Sequence, residues 1–261
     1  MKSFDGNVVI VGAGNVATHL SRALAKSLKA VISRKLDHAR ALALPIGVDA
    51  YDDFAVIERL KPDFIIISIA DNGICDVVDS IGHLTYEPIV VHTSGTVPKE
   101  ILSPISSRIG VLYPLQTFSA GSAVDVSSVP FFTEATNAAD WEVVDSVAAL
   151  LSPRVWHADA EHRRALHIAG VFTSNFTNIL LEKVEQVLTG AGYSLDIVQP
   201  LMQATVDKAF AIGPHNAQTG PARRGDFDVL KAQYEALPDD LKPAYAALTK
   251  LILESHNISH E

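Results

Sequence analysis

A short β-branched run from Asn7 to Val11 passes within a few residues into an apolar stripe of Val16, Leu20, Ala23 and Leu24, spaced i, i+4, i+7 and i+8. A strand feeding at once into an amphipathic helix is the reading that this change of period supports. The pattern then repeats. Lys29 to Ser33 reads as a second strand ahead of a helical stretch from Asp37 to about Leu44, and Asp63 to Ile69 reads as a strand buried on both faces. Pro88 to His92 and Arg108 to Leu112 continue the theme. Pro130 to Thr133, a helix from Ala138 to about Leu150, and Arg154 to His157 close it. Strands alternating with helices require right-handed crossovers and a parallel sheet, with any ligand crevice at the carboxyl ends of the strands. The expected fold class is therefore α/β, with a doubly wound, mainly parallel sheet over residues 1–157.

From Asp159 onward the pattern is helical, which predicts an all-helical second domain over 158–261. Asp159 is placed to cap a long helix reaching about Leu188, stopped by Gly190 and Gly192. Further helices are expected from Asp196 to about Ile212, from Asp226, and from Ala244 to His256.

Gly12-Ala-Gly14-Asn15-Val16-Ala17 fits G-x-G-x-x-G/A and stands between the first strand and its helix, the context that a Rossmann-type dinucleotide site requires. Gly12 allows the tight turn, Gly14 lets the backbone approach a pyrophosphate, and Ala17 permits close helix packing. Asn15 and Val16 open the helix whose N-terminus would face the phosphates. About 20 residues on, an NAD site usually carries Asp or Glu. Ser33-Arg34-Lys35 stands there instead, a set that can pair with a 2′-phosphate. NADP(H) is therefore expected over NAD(H); the alternative for Arg34 and Lys35 is a solvated basic turn. Ser68-Ile69-Ala70, followed by Asp71, and His92-Thr93-Ser94-Gly95 end two further strands and so border the same crevice. Ser68, Ile69, Ala70 and Thr93 are expected along the cofactor ribose and His92 near the substrate. Equally, Asp71 could cap a helix and His92 could satisfy loop carbonyls.

The net charge of −9 is acidic in both halves, which argues against nucleic acid as a partner. Cys75 is the only cysteine, so neither a disulfide framework nor a multi-cysteine metal site is expected, and no metal is. The longest apolar stretches, such as Phe64 to Ala70, fall far short of the roughly 18 residues that a membrane helix needs. Met1 to Asp5 run straight into the first strand and leave no space for an export leader. A cytoplasmic protein is the expectation.

The order of Gly12 to Ala17, His92 to Gly95, Pro114-Leu-Gln-Thr-Phe118, His167-Ile-Ala-Gly-Val-Phe-Thr-Ser-Asn175 and Thr219-Gly-Pro-Ala-Arg-Arg-Gly-Asp226 resembles a known family across essentially the whole chain. It is the family of Rossmann-like proteins that carry a C-terminal domain of unknown function 2520. These are labelled NADP oxidoreductases and are similar to the group of coenzyme F420-dependent NADP oxidoreductase and pyrroline-5-carboxylate reductase. The resemblance implies a homodimer built through the helical domain and an active cleft between the domains. It also leaves a deazaflavin, coenzyme F420, open as hydride partner. Tyr113 departs from the pattern, which has His before the Pro-Leu-Gln stretch.

Related reductases of small carbonyl acids place a lysine on the first long helix of the second domain. Between Asp159 and Thr189 this chain has only Lys183, near the far end. His167 and Asn175 are the candidates that remain for catalysis. Eight positions apart, they would be offset by about 80° and about 12 Å along a regular helix, able to border one cleft without sharing a hydrogen bond. An imidazole can give a proton to the oxygen or nitrogen formed by hydride transfer. The alternative for His167 is a satisfied histidine at a domain interface, and Asn175 would orient a carbonyl or bond buried backbone. Thr219 and Arg224 are candidates for the anionic end of a substrate, Arg224 otherwise forming an ion pair, while Asp226 reads as a helix N-cap. The resulting expectation is an NADP(H)-dependent oxidoreductase acting on a small carbonyl, imine or hydroxy substrate. Its rival is a non-catalytic NADP(H)-binding sensor or scaffold.

Overall fold

The computed structural model describes residues 4–119, 121 and 124–259; Met1 to Ser3, where the reading of no export leader begins, lie outside them. Eight strands form one sheet: β1 (Val8–Val11), β2 (Leu28–Ile32), β3 (Asp49–Tyr51), β4 (Phe64–Ile67), β5 (Ile89–His92), β6 (Ile109–Pro114), β7 (Phe131–Ala135) and β8 (Val155–His157). Their order is β3-β2-β1-β4-β5-β6-β7-β8. All neighbours run parallel except β6 and β7, which pair antiparallel. The first six strands thus have the doubly wound Rossmann order, whose switch point lies between β1 and β4.

The apolar runs explain the layering. In β1, Val8 and Ile10 join one buried cluster with Leu20 of α1 (Asn15–Ala23) and Leu24 at its C-cap, while Val9 and Val11 join another with Val77 and Val78 of α4 (Ile74–Ile81). Alternate side chains of one strand therefore feed opposite cores, as a sheet covered on both faces demands. The helices α2 (Leu36–Ala43), α3 (Val56–Leu60) and α5 (Ala138–Leu151) complete the wrapping. β3 escaped sequence reading because Asp49-Ala-Tyr51 is an edge strand with no apolar run and no buried residue.

The expected helix from Asp159 to Leu188 is interrupted. Asp159 does cap α6 (Ala160–Gly170), its carboxylate accepting from the His162 backbone N–H. A π-helical stretch, Val171–Phe176, then precedes α7 (Thr177–Gly190). The Thr173 hydroxyl donates to the Ala169 carbonyl at 2.8 Å, competing for a helix acceptor where the regular ladder gives way. The offset of about 80° expected between His167 and Asn175 therefore does not apply.

The chain divides into compact units between Asn175 and Phe176, so α6 belongs with the sheet. The second unit holds α7, α8 (Gln199–Ile212), α9 (Pro214–Ala217), α10 (Pro221–Arg224), α11 (Phe227–Ala236) and α12 (Lys242–Ser255). Among its described residues only Ala222, Leu230 and Leu241 are buried, whereas Leu201 and Phe210 of α8 stand exposed, Phe210 at 89%. No helix among the described residues is long and apolar enough to cross a membrane.

Candidate functional site

The turn from β1 to α1 requires its glycines in two different ways. Gly12 has φ of +124°, and a Cβ there would be driven into the Ser68 carbonyl oxygen at the end of β4. Only glycine lets the two strand ends approach so closely. Gly14 precedes α1 with an ordinary φ of −86°, and the place of its absent Cβ is open. Open backbone at the start of a helix with no acidic residue in its first turn is a ready cradle for a phosphate. Asn15 begins α1 and donates to the Phe118 carbonyl at 3.0 Å, tying the loop after β6 to the glycine turn. Val16 is half-buried and Ala17 fully buried beneath it.

A pocket beside this turn is lined by Gly12, Ala13, Ser33, Arg34, Ile69 and Ala70, among others. It brings together the glycine turn and the ends of β2 and β4. Arg34 in the pocket and Lys35 next to it in the chain are exposed, and neither makes an ion pair among the described residues. No acidic side chain lines the pocket among the described residues. The donor set fits a dinucleotide that carries a 2′-phosphate: open backbone for the pyrophosphate and an unengaged guanidinium for the extra charge.

Ser68 is buried, and Thr93 donates to its hydroxyl at 3.4 Å. His92, at the end of β5, is fully buried, so it has no open face for a substrate. Its Nδ1 accepts from the Ser94 backbone N–H at 3.2 Å. Burial first, then the Arg163 guanidinium, lower its pKa to about 4. The Ser94 hydroxyl in turn accepts from the backbone N–H groups of Thr96 and Val97, both at 3.1 Å. The His92-Thr-Ser-Gly95 segment is thus a braced turn, in which His92 accepts a backbone N–H rather than satisfying loop carbonyls, and its buried Nε2 has no hydrogen-bond partner among the described residues.

That turn supports a second pocket. It is lined by Tyr113, Gln116, Thr117, His167, Ser174 and Asn175 among others, so both expected catalytic residues share it. The Tyr113 Oη lies 3.3 Å from His167 Nδ1, and Thr117 Oγ1 lies 2.6 Å from Ser174 Oγ. Burial, then the charge of Asp71, raise the Tyr113 pKa, so the phenol keeps its proton. Gly95 presses on this pair: a Cβ there would stand 2.8 Å from the tyrosine ring and 3.1 Å from His167 Nδ1.

Arg163 anchors α6 under the pocket and was not singled out from sequence. Its side chain is fully buried; Nη1 donates to Glu134 of β7 and to the Ala158 carbonyl, and Nη2 to the Val97 carbonyl. Lys99 pairs with the same glutamate at 2.5 Å. Two signals were available: Arg163 is one helical turn before His167, and Glu134 interrupts an otherwise nearly apolar strand.

Thr219 and Arg224 are exposed in the second unit. Arg224 holds Asp226 with two nitrogens, at 2.9 and 2.7 Å. Asp226 stands at the N-cap position of α11 as expected, its carbonyl accepting from the Leu230 backbone N–H, but its carboxylate makes no capping hydrogen bond. The competing partner is a guanidinium two residues away, and a charged donor outbids a backbone amide. Lys183 lies near Glu182 and Asp240, at 3.8 and 3.9 Å.

The domain of unknown function DUF2520 matches residues 129–252. A Bacteroides fragilis protein described as a "putative NADP oxidoreductase" is 34% identical, with a TM-score of 0.85 over 96% of this chain and 98% of that one. A Thermotoga maritima protein is 22% identical, with a TM-score of 0.72 over 96% of this chain and 98% of its own. An imine reductase from Myxococcus stipitatus in complex with NADP+ shares the fold at 13% identity, with a TM-score of 0.66 over 96% and 94%. No curated protein matches the sequence.

Proposed function

Because the chain belongs to the family of Rossmann-like proteins that carry the domain of unknown function DUF2520 in their C-terminal half, we propose that it is an NADP(H)-dependent oxidoreductase transferring hydride to or from a small carbonyl, imine or hydroxy substrate. The observation that carries this reading is the pocket at the carboxyl edge of the sheet, where Arg34 stands beside the glycine turn in place of a ribose-binding acid. Gly12, Gly14, Asn15 and Val16 would hold the pyrophosphate. Ser33, Arg34 and Lys35 would hold the 2′-phosphate, and Ser68, Ile69, Ala70 and Thr93 the nicotinamide ribose. The bound cofactor supplies the hydride.

The chain's own residues would handle the proton. Among the described residues lining the second pocket, Tyr113 and His167 are the only titratable ones. His167 would give a proton to the oxygen or nitrogen formed in reduction, or take it in the reverse direction. Asn175 would orient the substrate. Thr219 and Arg224 would receive an anionic end, Arg224 by exchanging its Asp226 partner for the ligand. The near absence of buried residues among the described residues of the second unit supports a homodimer formed through those helices.

A second reading, an NADP(H) sensor that turns nothing over, draws support from Lys183, the only lysine between Asp159 and Thr189, which lies among Glu182, Gln186 and Asp240. Titration with NADPH and NADH, followed by fluorescence or calorimetry, tests the first reading. The expected result is tighter binding of NADPH. Changing both Arg34 and Lys35 to Ala should weaken NADPH by about 10- to 100-fold and leave NADH nearly unchanged, the worth of one or two charged hydrogen bonds. No binding of either nucleotide overturns both readings. Binding without NADPH consumption across a panel of carbonyls and imines favours the sensor.

A further inference from the structure

We propose that Tyr113 is a positioning residue that holds the neutral His167 imidazole in the tautomer carrying its proton on Nε2, the nitrogen that would face the substrate. This rests on the reading of His167 as the proton-transferring group. The Tyr113 side chain is buried, and its Oη lies 3.3 Å from His167 Nδ1. Among the described residues the phenol has no other hydrogen-bond partner. Its pKa, raised by burial and then by Asp71, keeps the O–H in place as a donor. Nδ1 is the acceptor within reach of the phenol among the described residues, and a protonated Nδ1 would leave the phenol proton without a protein acceptor. Nδ1 therefore accepts, and the imidazole proton resides on Nε2.

The surroundings make the arrangement rigid. Gly95 lies so close to both rings that any Cβ would push them, 2.8 Å from Tyr113 Cζ and 3.1 Å from His167 Nδ1. The turn holding Gly95 is braced by the Ser94 hydroxyl, and α6 is tied to the same turn through Arg163 and the Val97 carbonyl. Through Glu134, Arg163 also ties α6 to β7, the strand paired with the one that carries Tyr113. The His92-Thr-Ser-Gly95 motif gains a physical purpose: it leaves space for the pair and locks both partners. The departure at position 113 keeps a donor where the family pattern has a histidine.

The experiment is long-range proton–nitrogen correlation on full-length protein with 15N-labelled histidine rings, at alkaline pH, where the imidazoles are neutral. Comparison with His167→Asn assigns the His167 signals. Wild type should show His167 with Nδ1 unprotonated and Nε2 protonated. Tyr113→Phe should lose that preference and give a tautomer mixture; Gly95→Ala, which moves the ring and keeps the phenol, should do the same. Wild-type protein with the proton on Nδ1, or a folded Tyr113→Phe whose pattern is unchanged, overturns the proposal. NADPH titration of the same wild-type sample separates the two ideas: lack of binding sinks the oxidoreductase reading, while the tautomer remains an independent result.

Discussion

Arg163 of α6 donates to Glu134 of β7 with none of the arginine side chain exposed, and through that contact the helix bearing His167 is fastened to the sheet. Truncation would leave Glu134 buried with Lys99 as its remaining cation. Arg163→Ala should cost about 3–5 kcal/mol of unfolding free energy, as for other buried pairs broken on one side. Urea denaturation of the two proteins measures it. A loss under about 1 kcal/mol would mean that α6 is held by other contacts.

The two glycines of the first turn should respond differently. Gly12→Ala meets both a positive φ and the Ser68 carbonyl, so it should destabilise the apoprotein by about 1–3 kcal/mol and abolish NADPH binding. Gly14→Ala has open space and an ordinary φ, so the apoprotein should change by no more than about 1 kcal/mol. Its nucleotide affinity should still fall at least tenfold, because the added methyl occupies the cradle. Thermal melts with and without NADPH separate the two, and equal behaviour of both variants would refute the assignment.

His92 predicts a pH dependence of stability. Its pKa falls from the ordinary 6.5 to about 4 in the folded chain, first through burial and then through Arg163. The unfolded state therefore binds more protons between those values, and stability is lost as pH falls from about 6.5 toward 4. Between pH 7 and pH 5 this group should account for about 2 kcal/mol. The pH slope over that range should be shallower in His92→Gln, since glutamine does not titrate. Parallel slopes for the two proteins would exclude His92 as the cause.

The second unit should associate with a second copy of the chain. Leu201 and Phe210 are exposed on α8, a state that apolar side chains seldom keep in such numbers on an isolated surface. Sedimentation at micromolar concentration should give twice the chain mass, and Phe210→Glu with Leu201→Glu should give the monomer. A monomeric wild type would remove the support for a dimer.

Legibility differed between parts of the site for a physical reason. Gly12, Gly14 and the Ser33-Arg34-Lys35 end of β2 announce themselves because their demands are local: a positive φ, a helix start, a charge at a fixed distance along the chain. Tyr113 and His167 are 54 residues apart, and nothing local says that they meet. His92 looked like a crevice residue by position and proved to be buried, since whether a strand-end side chain points outward depends on what packs above it. Asp226 takes the N-cap position that the sequence indicated, but its carboxylate is held by Arg224 rather than by the helix amides.

What the residues alone determined is the alternation of β-branched runs with amphipathic stripes, and with it the doubly wound sheet, the glycine turn and the helical second half. Those follow from backbone sterics and hydrophobic periodicity, which act over a few residues. Tertiary structure decided which distant side chains share a pocket, that Arg163 is buried beneath His167, and that the helix after Asp159 breaks into a π-helical turn at Val171. The shared pocket and the buried arginine depend on the packing of elements far apart in the chain, where burial and competition for hydrogen-bond partners outweigh local preference, while the π-helical turn goes with the Thr173 hydroxyl taking the Ala169 carbonyl.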